Sequence, residues 1–150
     1  MGGQGVGSLD QDAGIRGVAG TTRATRFGRV KDYFARAHEE LCLLVQVETR
    51  EALERLEEIA ATPGVDGVFI GPNDLAASFG HVGNMAHPEV VQAVEDAMRR
   101  LAAIGKPSGI YAAPDFARRC IALGCRFAAV GGDAGILVKG ADALAAQFKS

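Results

Sequence analysis

Four short apolar runs, each followed by a helical stretch, limit what this chain can fold into more than any other feature of its sequence. The first, residues 41–47, is nearly continuous in apolar residues and short enough for a strand buried on both faces. It ends in Glu48, which a core would not hold ionised and unpaired, so Glu48 belongs where the strand leaves the core. Thr49 then predicts the N-cap of a helix carrying Leu53, Leu56, Ile59 and Ala60 on one face, closed by Pro63-Gly64. Cys42, inside the first run, reads as a buried and inert thiol.

The alternation continues to the end of the chain. A second run, Gly67 to Ile70, breaks into Gly71-Pro72-Asn73-Asp74, a short helical piece from Leu75 to Phe79, and a loop from Gly80 to His87. Pro88 opens the next helix, with Val91, Val94, Met98 and Leu101 on its buried face and Gly105 just past its end. Ser108 to Ala112 is a third strand, followed by a helix from Pro114-Asp115 that Gly124 closes. Phe127 to Val130 is a fourth, and the last helix runs from about Gly135 to Phe148. Strict βα alternation predicts an α/β fold with a parallel sheet. Right-handed crossovers leave an open doubly wound sheet or part of a (β/α)8 barrel. No G-x-G-x-x-G opens the first unit, so a dinucleotide site has no support. A whole barrel takes ~250 residues; a chain of 150 would hold half of one.

Ahead of these units, residues 1–14 are glycine-rich and read as a disordered leader, leaving 15–150 as one domain. Residues 15–29 read as a long loop, and Asp32 to Glu40 as a helix with Tyr33, Phe34 and Ala37 on one side. With 48% hydrophobic and 23% charged residues and a net charge of −2, the composition is globular and argues against nucleic-acid or membrane partners. Arg23, Arg26, Arg29 and Lys31 form a local basic group, read as a solvated loop or an anion-binding element. Three cysteines without metal-ligand spacing, and no signal-peptide pattern, place the expected compartment in the cytoplasm.

Glu48 and Asp74 each follow one of two consecutive strands. Adjacent parallel strands lie ~4.8 Å apart, so carboxylates at neighbouring tips can share one hard cation such as Mg²⁺ or Mn²⁺. They can equally cap their own helices, and spacing alone leaves both readings open.

Residues 46–53 (Q-V-E-T-R-E-A-L) and 66–78 (D-G-V-F-I-G-P-N-D-L-A-A-S) resemble the HpcH/HpaI family of class II aldolases. So do G-I-R-G-V-A-G (14–20), R-A-T-R-F-G-R (23–29), G-N-M-A-H-P-E-V (83–90) and A-V-G-G-D (129–133). The resemblance implies the C-terminal half of a TIM barrel of the phosphoenolpyruvate/pyruvate type. It implies a carbon–carbon lyase that splits 4-hydroxy-2-oxo acids into pyruvate and an aldehyde with Mg²⁺, Mn²⁺ or Co²⁺. Carried over, Glu48 and Asp74 match the metal ligands, and Gln46 matches the glutamine that faces the 2-oxo acid. Gly71, Pro72 and Asn73 match the turn at the substrate carboxylate. Tyr111 stands where the family places an aliphatic residue against the aldehyde half, and Asn73 where it often has alanine.

The family's early-strand arginine and its His–Asp acid/base pair have no match in this text, which points to a fragment or a shifted reading frame. His38, His81 and His87 read as structural or solvated. Two alternatives therefore accompany the aldolase reading: an inactive half barrel that only assembles, and a CoA-ester lyase of the citrate lyase β type. The resemblance also implies a homo-oligomer, with Leu137, Ala141, Leu144, Ala145 and Phe148 as a stripe that packs on a neighbour or on its own sheet.

Overall fold

The structure, a computed structural model, describes residues 19–149. The leader over 1–14, and Arg16 with most of the 14–20 motif, lie outside the described residues.

One parallel sheet of four strands runs in sequence order: β1 (Leu44–Val47), β2 (Gly67–Ile70), β3 (Ser108–Tyr111) and β4 (Phe127–Ala129). A doubly wound sheet reverses its strand order partway, whereas a barrel adds each strand beside the last. The order here is that of consecutive barrel strands. The helices are α1 (Tyr33–Glu40), α2 (Arg50–Glu54), α3 (Leu56–Ala60), α4 (Pro72–Ser78), α5 (Pro88–Ala103), α6 (Pro114–Ala122) and α7 (Asp133–Ala146).

Register divides the sheet into two unlike faces. Val47 pairs with Ile70, and Ile70 with Ile110. Side chains alternate along a strand, so Val45, Val47, Val68, Ile70, Ile110 and Ala128 share the face covered by helices. There they pack with Leu53, Leu56, Leu75, Val90, Val94, Met98 and Leu101 in one core. The stretch from α5 follows the 3.6-residue period, with Val90, Val94, Ala97, Met98 and Leu101 fully buried and Val91 only half-buried. Two ion pairs fasten the helix layer from outside: Arg100 grips Glu57 with two hydrogen bonds of 2.6 and 2.5 Å, and Arg119 pairs with Glu95.

The other face, with Leu44, Gln46, Phe69, Tyr111 and Phe127, has no helix packed on it among the described residues. Phe127 and Tyr111 are more than half exposed, at 56% and 53%. Glycine alternates with bulk on this face. A Cβ on Gly67 would stand 2.8 Å from Leu44 Cδ2, and one on Gly109 would stand 2.8 Å from Phe69 Cδ2. The outer edges of β1 and β4 have no strand partner among the described residues.

Several expected boundaries move. The first strand starts at Leu44, not Leu41, because Leu43 is held by the Asp66 loop instead: its N–H donates to Asp66 Oδ2 at 2.6 Å and its carbonyl accepts from Asp66 N. Cys42 therefore lies ahead of the pairing and is exposed, which corrects its reading as a buried thiol. The helix after Thr49 breaks at Arg55 into α2 and α3. The last helix begins two residues early, at Asp133, and the stripe from Leu137 to Phe148 is exposed, with no buried residue in α7. Among the described residues, no helix is long and apolar enough to cross a membrane.

Burial pushes the Cys120 thiol up from 9.0 to about 11, and Cys125 is raised by burial as well. A thiol reagent at pH 8 is expected to titrate Cys42 alone until the protein unfolds. The sign of the pH dependence follows from the raised value. Cys120 favours the folded state fully below pH 9, and that contribution is lost as pH climbs towards 11. Urea melts across that range check the loss. Leu56→Ala, at a site with 0% exposure, is expected to cost about 3 kcal/mol in the same assay.

Candidate active site

Register brings the two sequence motifs side by side. Since Val47 pairs with Ile70, the next residues along, Glu48 and Gly71, leave the sheet together. Gly71 N–H donates to Val47 O at 3.1 Å, extending the ladder one step past the strands. Thr49 then starts α2 at once, its Oγ1 accepting from Ala52 N at 3.1 Å. Glu48 thus does not cap its helix. Its Oε2 accepts a 2.5 Å hydrogen bond from Gln46 Nε2, two residues back on the open face.

Gly71 is where bulk is excluded. A Cβ there would stand 2.6 Å from Glu48 Oε2, 2.8 Å from Glu48 Cβ and 2.9 Å from Gln46 Nε2. The Glu48 carboxylate therefore rests in a cradle that any side chain at 71 would fill. Asp74 is not at the tip of β2, as its spacing suggested, but in the first turn of α4, because Pro72 starts the helix directly after Gly71. No side chain caps α4, and among the described residues no hydrogen bond engages the Asp74 carboxylate. The capping alternative thus accounts for neither acid. Pro72 lacks an N–H, so the first turn of α4 presents the amides of Asn73 and Asp74.

A cavity of about 560 Å³ opens at this rim of the sheet. Gln46, Gly71, Pro72, Asn73, Asp74 and Tyr111 all line it, so six of the seven residues singled out from sequence meet in one space. Glu48 is the seventh: it does not line the cavity but stands behind Gly71 and Gln46. Gln46 lines the cavity with one of its amide N–H groups given to Glu48. The far wall comes from the loop after β4 and from α7, and includes Gly132, Ile136 and Lys139. Sequence reasoning passed over Lys139. The signal was present, since Gly132, Gly135, Ile136 and Lys139 recur at helical spacing on one face.

The donor types present, two carboxylates and an amide that steadies one of them, are those a hard divalent cation takes. No histidine lines the cavity among the described residues. His81 and His87 instead stack with ring centroids 3.5 Å apart, and His81 Nε2 lies 2.9 Å from Glu89 Oε2. These three residues bring possible ligand atoms within 4.8 Å of one another. Their groups are already in use. Arg50 takes the second Glu89 oxygen at 3.1 Å, and His87 Nδ1 accepts from Glu89 N–H. The bond from His81, and then that from Arg50, hold the Glu89 carboxyl below the usual carboxylate range. The cluster latches the 80–87 loop to the starts of α2 and α5. Arg50 adds to the latch, its N–H bonded to Ser78 Oγ at 3.0 Å and its guanidinium 4.0 Å over the Phe79 ring.

Known proteins resemble this chain in sequence and in fold. The family described as HpcH/HpaI aldolase/citrate lyase matches residues 8–140. A pyruvate aldolase of Rhizobium etli is 63% identical over 137 residues, covering 90% of this chain and 54% of that protein. A 4-hydroxy-2-oxo-heptane-1,7-dioate aldolase of Klebsiella pneumoniae is 52% identical over 138 residues, covering 91% and 52%. The crystal structure of an HpcH/HpaI aldolase/citrate lyase family protein from Burkholderia cenocepacia superposes with a TM-score of 0.79 at 38% identity, covering 91% of this chain and 54% of that one. The chain spans about half the length of the curated relatives it matches. Four consecutive βα units that match a little over half of such proteins are one half of their barrel. By a family match over most of its length and by these identities, the chain belongs to the HpcH/HpaI aldolase/citrate lyase family.

Proposed function

We propose that this chain is the cation-holding half of a pyruvate-type aldolase, a carbon–carbon lyase acting on 4-hydroxy-2-oxo acids. The observation that carries the reading is the Glu48 carboxylate seated against Gly71, with Asp74 three residues further on. Glu48 and Asp74 would hold Mg²⁺, Mn²⁺ or Co²⁺. Bound there, the ion would supply Lewis acidity to the 2-oxo acid as its C3–C4 bond breaks. The chain's own groups do the rest of the positioning. Gln46 fixes the carboxylate of Glu48 by its 2.5 Å bond, and the amides of Asn73 and Asp74 offer donors to the substrate carboxylate. Tyr111 borders the space left for the aldehyde half.

Proton transfer at the 4-hydroxyl is the step these residues do not supply. General acid–base groups are worth about 10²–10⁴ in rate. A second reading, favoured by the uncovered face of Leu44, Phe69 and Phe127, is a half barrel that assembles without catalysing. A second copy would close such a sheet and make the protein an oligomer.

Mn²⁺ together with pyruvate is expected to raise the melting temperature, and chelation to remove the gain. Glu48→Ala should abolish it. Gly71→Ala, which pushes a methyl into the cradle, should weaken Mn²⁺ binding by about tenfold or more. Calorimetric titration checks both, and an unchanged affinity in either variant refutes the site. Pyruvate release from a 4-hydroxy-2-oxo acid, assayed on protein shown to be monodisperse by light scattering, separates the two readings. The aldolase reading expects metal-dependent release that is ~10²–10⁴-fold slower than from a complete relative; the assembly reading expects none.

A further inference from the structure

We infer that Ser78 and Arg50 are positioning residues of the cation site. They hold the helix that carries Asp74 at a set spacing from Glu48, and so favour a small divalent cation over a large one. The inference rests on the aldolase reading and adds the device that fixes the size of the site.

The two acids stand on separate elements, Glu48 just past β1 and Asp74 in the first turn of α4. Past the sheet, two hydrogen bonds among the described residues join the segments that carry them. At one end Gly71 N–H donates to Val47 O at 3.1 Å. At the other, Arg50 N–H donates to Ser78 Oγ at 3.0 Å. Val47 and Arg50 thus bracket Glu48, while Gly71 and Ser78 bracket Asp74. With the first bond alone α4 would be hinged at one end. The second closes the ring.

Helical spacing suits Ser78 to this task. It lies four positions after Asp74, about one turn along and on the same face. The inner face of α4 is packed through Leu75 and Ala76, both 0% exposed. On the outer face, the Ser78 bond is the one side-chain hydrogen bond from α4 to another element among the described residues. No such bond engages the Asp74 carboxylate, so the placing of its helix sets where it stands.

Arg50 is the first residue of α2, where an amide has no carbonyl of its own helix to bond. Thr49 spends its hydroxyl on Ala52, and the acceptor for Arg50 comes from α4 instead. The Arg50 side chain reinforces the tie. Its guanidinium lies 4.0 Å over the ring of Phe79, which ends α4, and pairs with Glu89 at 3.1 Å.

Ion size is what such a tie controls. Mg²⁺ demands near-octahedral oxygens at about 2.0–2.1 Å, whereas Ca²⁺ takes a looser shell at roughly 2.3–2.6 Å. Carboxylates held at one spacing discriminate between the two ions, and carboxylates free to part do so less.

The test is calorimetric titration of Mn²⁺, with Mg²⁺ and Ca²⁺ as competitors. The unmutated protein is expected to hold Mg²⁺ tighter than Ca²⁺, and Ser78→Ala to lower that ratio about fivefold. Alanine suits an exposed helix position, so the melting temperature should barely move. Ser78→Thr keeps a hydroxyl and should keep most of the ratio. Arg50→Pro removes the donor at a first helical position, where proline is tolerated and where Thr49 is already extended at φ −130° and ψ 157°. It should lose at least as much as Ser78→Ala, and adding Ser78→Ala to it should cost nothing further. An unchanged ratio in Ser78→Ala overturns the inference and leaves the aldolase reading standing, provided Mn²⁺ binds. So does a preference for Ca²⁺ in the unmutated protein, or an equal loss of both cations in Ser78→Ala. A Ser78→Thr ratio no better than that of Ser78→Ala, or additive losses in the double variant, overturn it too. If the unmutated protein binds no Mn²⁺, the inference and the aldolase reading fall together.

Discussion

The register between β1 and β2 is the constraint on which the site depends. With Val47 opposite Ile70, Glu48 and Gly71 emerge together, and the carboxylate of one fills the space where the other has no side chain. A slip by one residue would carry Val47 onto the open face and turn Gln46 into the helix-packed core. The slip is resisted by burial on that side, where Val47, Val68 and Ile70 are all 0% exposed. Packing on one face of the sheet thus fixes the position of a charge at its rim. Gly71 links the two: its backbone closes the ladder, and its missing Cβ admits the acid.

The two faces of the sheet have unequal support. The helix-packed face is a finished core, with α3, α4, α5 and α6 over it and salt bridges across the helix layer. The open face pairs glycine with bulk so that Leu44, Phe69 and Phe127 cover the backbone of the neighbouring strands, yet Leu44 and Phe127 remain exposed and Phe69 is only half-buried. In a closed barrel that surface meets the opposite wall. With open edges on β1 and β4, it is the part of the molecule with most to gain from a partner.

Much of this was legible in the sequence, and most of the misses are non-local. The number of strands, their parallel sense and the helix cap at Thr49 follow from apolar period and capping chemistry, which are local. Which part of an apolar run enters the sheet is not local. Leu41 to Leu43 look like strand, but the loop at Asp66 takes the Leu43 backbone and leaves Cys42 in solvent. Asp74 was placed at a strand tip although Pro72 marks a first helical position, a signal present in the text. Glu48 could be located by its charge after an apolar run. The hydrogen bond that Gln46 gives it could not, since both side chains must first be seen to leave the sheet on the same side. Helical spacing puts Lys139 on one face with Gly132, Gly135 and Ile136, but only the fold brings that second turn of α7 to the same cavity as the tip of β1.

The cavity joins two regions of different stiffness. Its acidic end hangs from β1, β2 and α4, whose Val47, Ile70, Leu75 and Ala76 are sealed in the core. Its basic end hangs from α7, which buries no residue at all. Elements with few buried contacts open and shift at low cost, whereas core strands move only with the whole domain. A cation bound at Glu48 and Asp74 needs donors fixed to within a few tenths of an ångström. The stiff end of the cavity therefore meets the demand that coordination would make, and the end on α7 is the one that shifts at low cost.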